Sequence, residues 1–194
     1  MNEELLMENI NLNDIVFVKD KTNYKIFFKK GPNYEKLVIK SPIIKVPFGI
    51  EKYNNKDIIN LEFTDLGKNN DIYNFHTKIK NIDNFIRKIF MDKEIQSNLK
   101  YKVNLDLVNQ LSKKYYLSCI KNRPENFPPL MRTHLKYKNK NILTEFNSLK
   151  NKNITSISQL KKNTNGYFFI ELAFLWVNTD SFGLTWYVNN CFIN

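Results

Sequence analysis

Glycine is scarce in this chain, with five residues in 194. No Walker-type loop, no glycine-rich dinucleotide fingerprint and no Gly-x-Ser-x-Gly elbow is present, which removes those phosphate-binding and nucleophile motifs. Cysteine and histidine are rarer still, two of each. Cys119 and Cys191 fall in separate predicted strands, and His76 and His134 lie far apart, so no metal-ligand spacing appears. The thiols are read as buried and free in a reducing compartment. Asp65, Asp71 and Asp83 are too dispersed to argue for a metal. Asp71 is read instead at a helix start, and Asp83 on that helix's solvated face. No apolar run reaches the roughly 18 residues a membrane span needs. The nearest, Tyr167–Val177, is short and contains Glu171. The opening Met-Asn-Glu-Glu-Leu-Leu is acidic and has no apolar core, unlike a signal peptide. These absences lead to the expectation of a soluble, intracellular protein with no cofactor, no metal, no membrane association and no enzymatic activity.

What the chain does hold is positive charge and aromatic rings. Lys plus Arg is 30 against 19 for Asp plus Glu, a formal net charge of +11. That balance favours a polyanion as partner, although a lysine-rich surface kept soluble by charge gives the same sum. Hydrophobic residues make up 42% of the chain, enough for a real core, and aromatics 14%.

Residues 1–14 read as a polar arm and 15–194 as one domain. Clusters of Val, Ile and Phe at Ile15–Lys19 and Asn23–Lys29 suggest strands, followed by a Gly31-Pro32-Asn33 turn and a strand over Glu35–Lys40. Pro42 and Pro47 bracket an extended apolar run that closes on Phe48-Gly49, where the glycine allows a bend or a close approach. Ile58–Phe63 alternates as a strand. Over Asp71–Phe90 the apolar residues recur at three-four spacing and predict an amphipathic helix, capped by Asn69 or Asn70. A weaker helix fits Asn104–Lys114, and a strand Tyr115–Ile120. Beyond Pro128-Pro129, Leu130, Arg132, His134, Lys136 and Lys138 share one side of a predicted strand, while Met131, Thr133, Leu135 and Tyr137 share the other. Residues 147–165 are polar and loop-like. Tyr167–Val177 and Leu184–Ile193 form a terminal hairpin whose turn, Asn178–Gly183, is flanked by both tryptophans. The sum predicts a mainly β fold with one or two helices: a small antiparallel barrel with an amphipathic helix packed across it.

Basic strands interleaved with aromatics suit single-stranded nucleic acid, through backbone neutralisation and base stacking. The candidate contacts are Arg132, His134, Lys136 and Lys138 for the strand face. Trp176, Phe182, Trp186 and Tyr187 are the candidate stacking rings, and Lys45 and Phe48 belong to the proline-bracketed segment. Core packing is the competing role for each ring.

The motif order carries a resemblance. It runs through Ser41-Pro42…Pro47-Phe48-Gly49, strand Ile58–Phe63, a long helix, Phe127-Pro128-Pro129-Leu130-Met131-Arg132-Thr133-His134-Leu135-Lys136, and Phe174-Leu175-Trp176…Ser181-Phe182-Gly183-Leu184-Thr185-Trp186-Tyr187-Val188. Over roughly Lys36 to Ile193 this resembles the short-tailed-phage-like single-stranded-DNA-binding proteins of nucleocytoplasmic large DNA viruses, the giant viruses. The abundance of Lys, Asn and Ile is compatible with such an AT-rich source. The resemblance implies an OB-fold, with non-catalytic protection of single strands in viral DNA replication, recombination or repair. It also implies homodimerisation, viral replication proteins as partners, and a place at replication sites in the host cytoplasm or packaged in the virion. The phage relatives end in an acidic tail. This sequence stops at Cys191-Phe192-Ile193-Asn194, so tail-mediated recruitment is not carried over. RNA is the alternative strand chemistry. The alternative function is a structural protein of the virion or replication site that uses the same barrel for protein–protein contacts.

Overall fold

Tight turns set the hairpins. Left-handed backbone occurs at Lys21 (φ 58°), Gly31 (φ 59°), the pair Asn54 and Asn55 (φ 49° and 59°), and the pair Asn139 and Lys140 (φ 50° and 68°). Asparagine and glycine enter that region at low cost. Two such residues in succession make the mirror-image turn whose twist matches antiparallel strands. Each of these sites joins two strands that pair directly across it.

The computed structural model describes residues 12–91, 105–149 and 156–194. The arm expected over residues 1–14 lies outside these except for a 3-10 turn at Leu12–Asp14. The strands are β1 (Ile15–Asp20), β2 (Asn23–Lys30), β3 (Asn33–Glu35), β4 (Leu37–Lys40), β5 (Ile44–Val46), β6 (Ile50–Tyr53) and β7 (Lys56–Glu62). Helices α1 (Asn70–Met91) and α2 (Leu105–Leu111) follow. Then come β8 (Tyr115–Leu117), β9 (Ile120–Lys121), β10 (Leu130–Leu135), β11 (Tyr137–Lys138), β12 (Asn141–Ile142) and β13 (Glu145–Ser148). Two long strands, β14 (Thr164–Val177) and β15 (Ser181–Ile193), finish the chain. Asn69 caps α1, its side-chain oxygen accepting from the N–H groups of Asp71 (3.0 Å) and Ile72 (3.2 Å). No helix among the described residues is long and apolar enough to cross a membrane.

Contacts divide the chain into two compact units, each discontinuous in sequence. One comprises residues 38–77, 120–171 and 186–194 and contains the barrel. Its strands pair in the order β14-β5-β7-β10-β15, and β15 returns to β14, closing five strands. By position in the sequence, β5, β7, β10, β14 and β15 are barrel strands one to five. Their spatial order is therefore one-two-three-five-four, the Greek-key connectivity of an OB-fold. The pairings are antiparallel at β14–β5, β5–β7 and β7–β10, whereas β10 and β15 run parallel. That parallel seam is a feature alternation alone cannot predict, since both strand directions expose the same faces.

The barrel interior is filled by alternating residues of every strand: Val46, Ile59, Leu61, Met131, Thr133, Leu135, Phe168, Ile170, Trp186 and Val188 are all buried. Its one hydroxyl is satisfied, Thr133 donating to the Ile59 carbonyl at 3.1 Å. The first turns of α1 pack Phe75 and His76 on Phe63, with ring centroids 5.9 Å and 4.8 Å apart. Gly49 (φ 69°) brings its backbone against that of Leu160–Lys162, the close approach its place after Phe48 suggested. Outside the barrel, Tyr167 stacks on Phe192 at 4.7 Å with Phe169 edge-on to both, and Lys40 sits 4.4 Å above Tyr167. These rings cover one another beside Gly166.

The second unit comprises the described residues within 1–37, 78–119 and 172–185. Its sheet contains β1, β2 and β3, with the distal part of β14 on β2 and β8 parallel to the start of β15. Phe90 of α1 lies between Phe17 (5.3 Å) and Phe182 (5.7 Å). Asp83 is buried, not on the helix's solvated face as expected. It accepts from the Tyr116 hydroxyl (2.5 Å) and the Cys119 N–H (3.2 Å). A helix position one step off the apolar stripe becomes interior when a strand covers that flank.

A Cβ on Gly166 would lie 2.3 Å from the Phe192 carbonyl oxygen, a backbone atom that cannot yield. Gly166→Ala should therefore lower stability by about 1–3 kcal/mol, read as a reduced urea midpoint.

Candidate nucleic-acid interface

On an OB barrel the outer face of strands two and three is the usual ground for oligonucleotide contact. Here that face belongs to β7 and β10. Pairing places Arg132 opposite Asn60 and His134 opposite Ile58, and the parallel seam places Tyr187 beside His134. Because Met131, Thr133 and Leu135 point inward, Arg132 and His134 must point out. Both are half-buried.

The β6–β7 hairpin adds a ring. Tyr53 opposes Lys56 across the Asn54-Asn55 turn, and the Arg132 guanidinium lies 3.7 Å from the Tyr53 ring centroid. Stacking of that kind fixes the guanidinium plane. Arg132 Nε and His134 Nδ1 are buried and make no hydrogen bond with the described residues. Arg132 also has no carboxylate partner among them. A buried polar atom left unpaired costs about 1–3 kcal/mol, and this strand face carries two. His134 has its pKa depressed to about 4 by burial, with further lowering from Lys56 and Arg132. Its imidazole is therefore neutral near pH 7. The ring meets Tyr187 edge-on at 6.3 Å. Burial also raises the Tyr187 phenol, with Glu171 adding to it.

The remaining expected contacts separate. Lys136 lies past the end of β10. Its ammonium donates to Glu171 (2.9 Å) and Asn189 (3.3 Å), and its backbone N–H donates to Thr144 Oγ1 (2.8 Å). Glu171 is buried, so this lysine neutralises a carboxylate inside the fold. Lys138 is not on β10, as the strand reading had it, because the chain breaks after Leu135 into the β11–β12 ribbon. The residue is exposed there. Tyr137 ties the ribbon to the β6–β7 hairpin by donating to Asp57, which Lys52 also binds at 2.6 Å. Lys45 pairs with the buried Glu62 at 3.5 Å, alongside Arg123 at 2.6 Å. Phe48 is exposed in the connection between β5 and β6.

The aromatic set needs correction. Trp186 is fully buried in the barrel unit, and its indole Nε1 has no hydrogen-bond partner among the described residues. Phe182 is fully buried in the second unit, edge-on to Phe90 and Tyr116 (5.2 Å). Neither ring offers a face to a base. The turn is also shorter than expected: β15 already begins at Ser181, so Phe182 is a strand residue pointing inward. Trp176 belongs to the second unit. It is half-buried, its ring laid against Gly183, where any Cβ would come within 2.7 Å of it.

Four residues were not among the expected contacts: Tyr53, Lys56, Arg123 and Phe127. Phe127 is 57% exposed, with the Arg123 guanidinium 5.2 Å from its ring centroid. Arg123 Nε also donates to the Pro128 carbonyl at 2.7 Å. The Asn54-Asn55 pair was the available signal for the first two, since it predicts a two-residue hairpin turn with Tyr53 and Lys56 at its shoulders. Nothing local announced that Arg123 and Phe127 pair.

No family model and no curated protein matches the chain. Among solved structures it is similar to the single-stranded DNA-binding protein from bacteriophage Enc34 in complex with ssDNA. That likeness has 11% identity, covers 93% of this chain and 94% of that chain, and has a TM-score of 0.46.

The His134 environment sets a pH dependence. Between its ordinary value of 6.5 and its depressed value of about 4, the unfolded chain takes up a proton that the folded chain refuses. Stability therefore falls as pH drops through that window. Urea midpoints at pH 7 and pH 4.5 should differ by less in His134→Gln than in the parent protein.

Proposed function

We propose that the protein binds single-stranded DNA, without catalysis, along the outer face of β7 and β10. The carrying observation is the Arg132 guanidinium stacked on the exposed Tyr53 ring of the β6–β7 hairpin, with His134 on the same strand face, over strands two and three of an OB barrel. The +11 charge supports a polyanionic partner. Lys56 and Lys138 are exposed and have no ion pair among the described residues, so they supply the backbone contacts. Tyr53 and Phe127 supply base-stacking faces. Protection of single strands during viral DNA replication, recombination or repair is the role this reading assigns. Homodimers, viral replication proteins as partners and a location at giant-virus replication sites belong to the same reading. RNA binding would use the same face.

Fluorescence anisotropy with a labelled oligothymidine tests the function. Binding should be tight at low salt and fall linearly in log–log form as salt rises, because condensed counterions are released. Background binding at low salt, or a preference for duplex, would refute the proposal. Tyr53→Ala should weaken binding by about 1–3 kcal/mol, the value of one stacked base.

Lys56→Ala should lower the salt slope by about one, the signature of one lost phosphate contact. The same titration series reads this, and an unchanged slope would remove Lys56 from the site.

A further inference from the structure

We propose that Arg132 and His134 read the edge of a nucleobase, with guanine preferred, instead of gripping a phosphate. This rests on the single-strand-binding reading and deepens it, since that reading by itself predicts tolerance of any base.

Packing restricts what each side chain can do. Lys56 and Lys138 have exposed cationic ends that can follow a mobile phosphate backbone. Arg132 is held differently. Its guanidinium is laid on Tyr53 at 3.7 Å, so its N–H groups keep one plane and one direction. A planar fork with fixed direction matches two acceptors on a rigid edge. Guanine offers such a pair at O6 and N7, and no other base has two adjacent acceptors there.

The surrounding groups agree. Asn60, opposite Arg132 on β7, already donates its amide to Glu51 at 2.6 Å. It leaves Arg132 as the donor at that level of the face. His134 stands two residues along the same strand face, its Nδ1 buried without a hydrogen-bond partner among the described residues. Lys56 and Arg132 are the charged groups acting on it, and Tyr187 is the ring beside it. Being neutral near pH 7, its imidazole contributes a directional donor or acceptor and no charge to a phosphate. A guanidinium fixed in direction by Tyr53, with a neutral imidazole on the same strand face, suits the flat polar edge of a base.

The test compares two labelled strands by anisotropy: an all-thymidine oligonucleotide, and the same strand with one central guanine. The full-length protein should bind the guanine strand on the order of tenfold more tightly. Arg132→Lys keeps the charge and loses the fork. It should weaken the all-thymidine strand slightly and reduce the guanine advantage to less than about twofold, with the thermal midpoint held as a check on folding. If the parent protein binds both strands equally, base reading is wrong while single-strand binding stands. If Arg132→Lys weakens both strands by one factor and keeps their ratio, Arg132 is a phosphate contact and the proposal fails. If neither strand binds, the function itself fails and the inference falls with it.

Discussion

The parallel pairing of β10 with β15 is the constraint on which the barrel unit depends. It aligns His134 with Tyr187 and Leu135 with Val188, and it closes a sheet that would otherwise present two edges. It also decides which residues of β10 face water. A slip of one position would turn Arg132 and His134 inward and bring Met131 and Thr133 out. The register is pinned just beyond the strand. Lys136 donates its backbone N–H to Thr144, Thr144 donates to the Val188 carbonyl at 2.7 Å, and the Lys136 ammonium holds the buried Glu171. Truncating Lys136 would leave that carboxylate buried without its cation, which is why this lysine acts on the fold first.

Cations of the barrel unit divide by what lies opposite them. Glu62 takes Lys45 and Arg123, Glu171 takes Lys136, and Asp57 takes Lys52. Exposed pairs of this sort contribute little to stability, while those on buried carboxylates keep an interior charge compensated. Arg132, Lys56 and Lys138 have no such carboxylate among the described residues. The first is held rigid by an aromatic ring, and the other two are exposed.

Much of the local structure was legible in the residues. The three-four spacing of Ile72, Phe75, Ile79, Ile82, Ile86 and Ile89 marked α1, and the Asn69-Asn70 pair marked its cap, of which the structure uses Asn69. The alternation along 130–135 separated the buried face of β10 from the outward pair Arg132 and His134. The stacking rings were less legible. Trp186, Phe182 and Tyr187 lie close together in sequence, yet the first two are fully buried and only the third reaches the outer face. A ring's value to a ligand depends on which side of a sheet is covered, and aromatic residues suit core and surface alike.

By itself the sequence determined helix α1, most of the longer strands, the turns near Lys21, Gly31 and Asn139-Lys140, the mainly β class and the surplus of positive charge. These follow from periodicity, turn chemistry and composition, all of which act between near neighbours in the chain. Tertiary structure alone decided that β10 meets β15 in parallel, that Lys45 and Lys136 are neutralised inside the fold, and that Tyr53 lies on Arg132. Those outcomes join residues from 17 to 79 positions apart. Such contacts depend on which surfaces close against each other, and no local pattern encodes that.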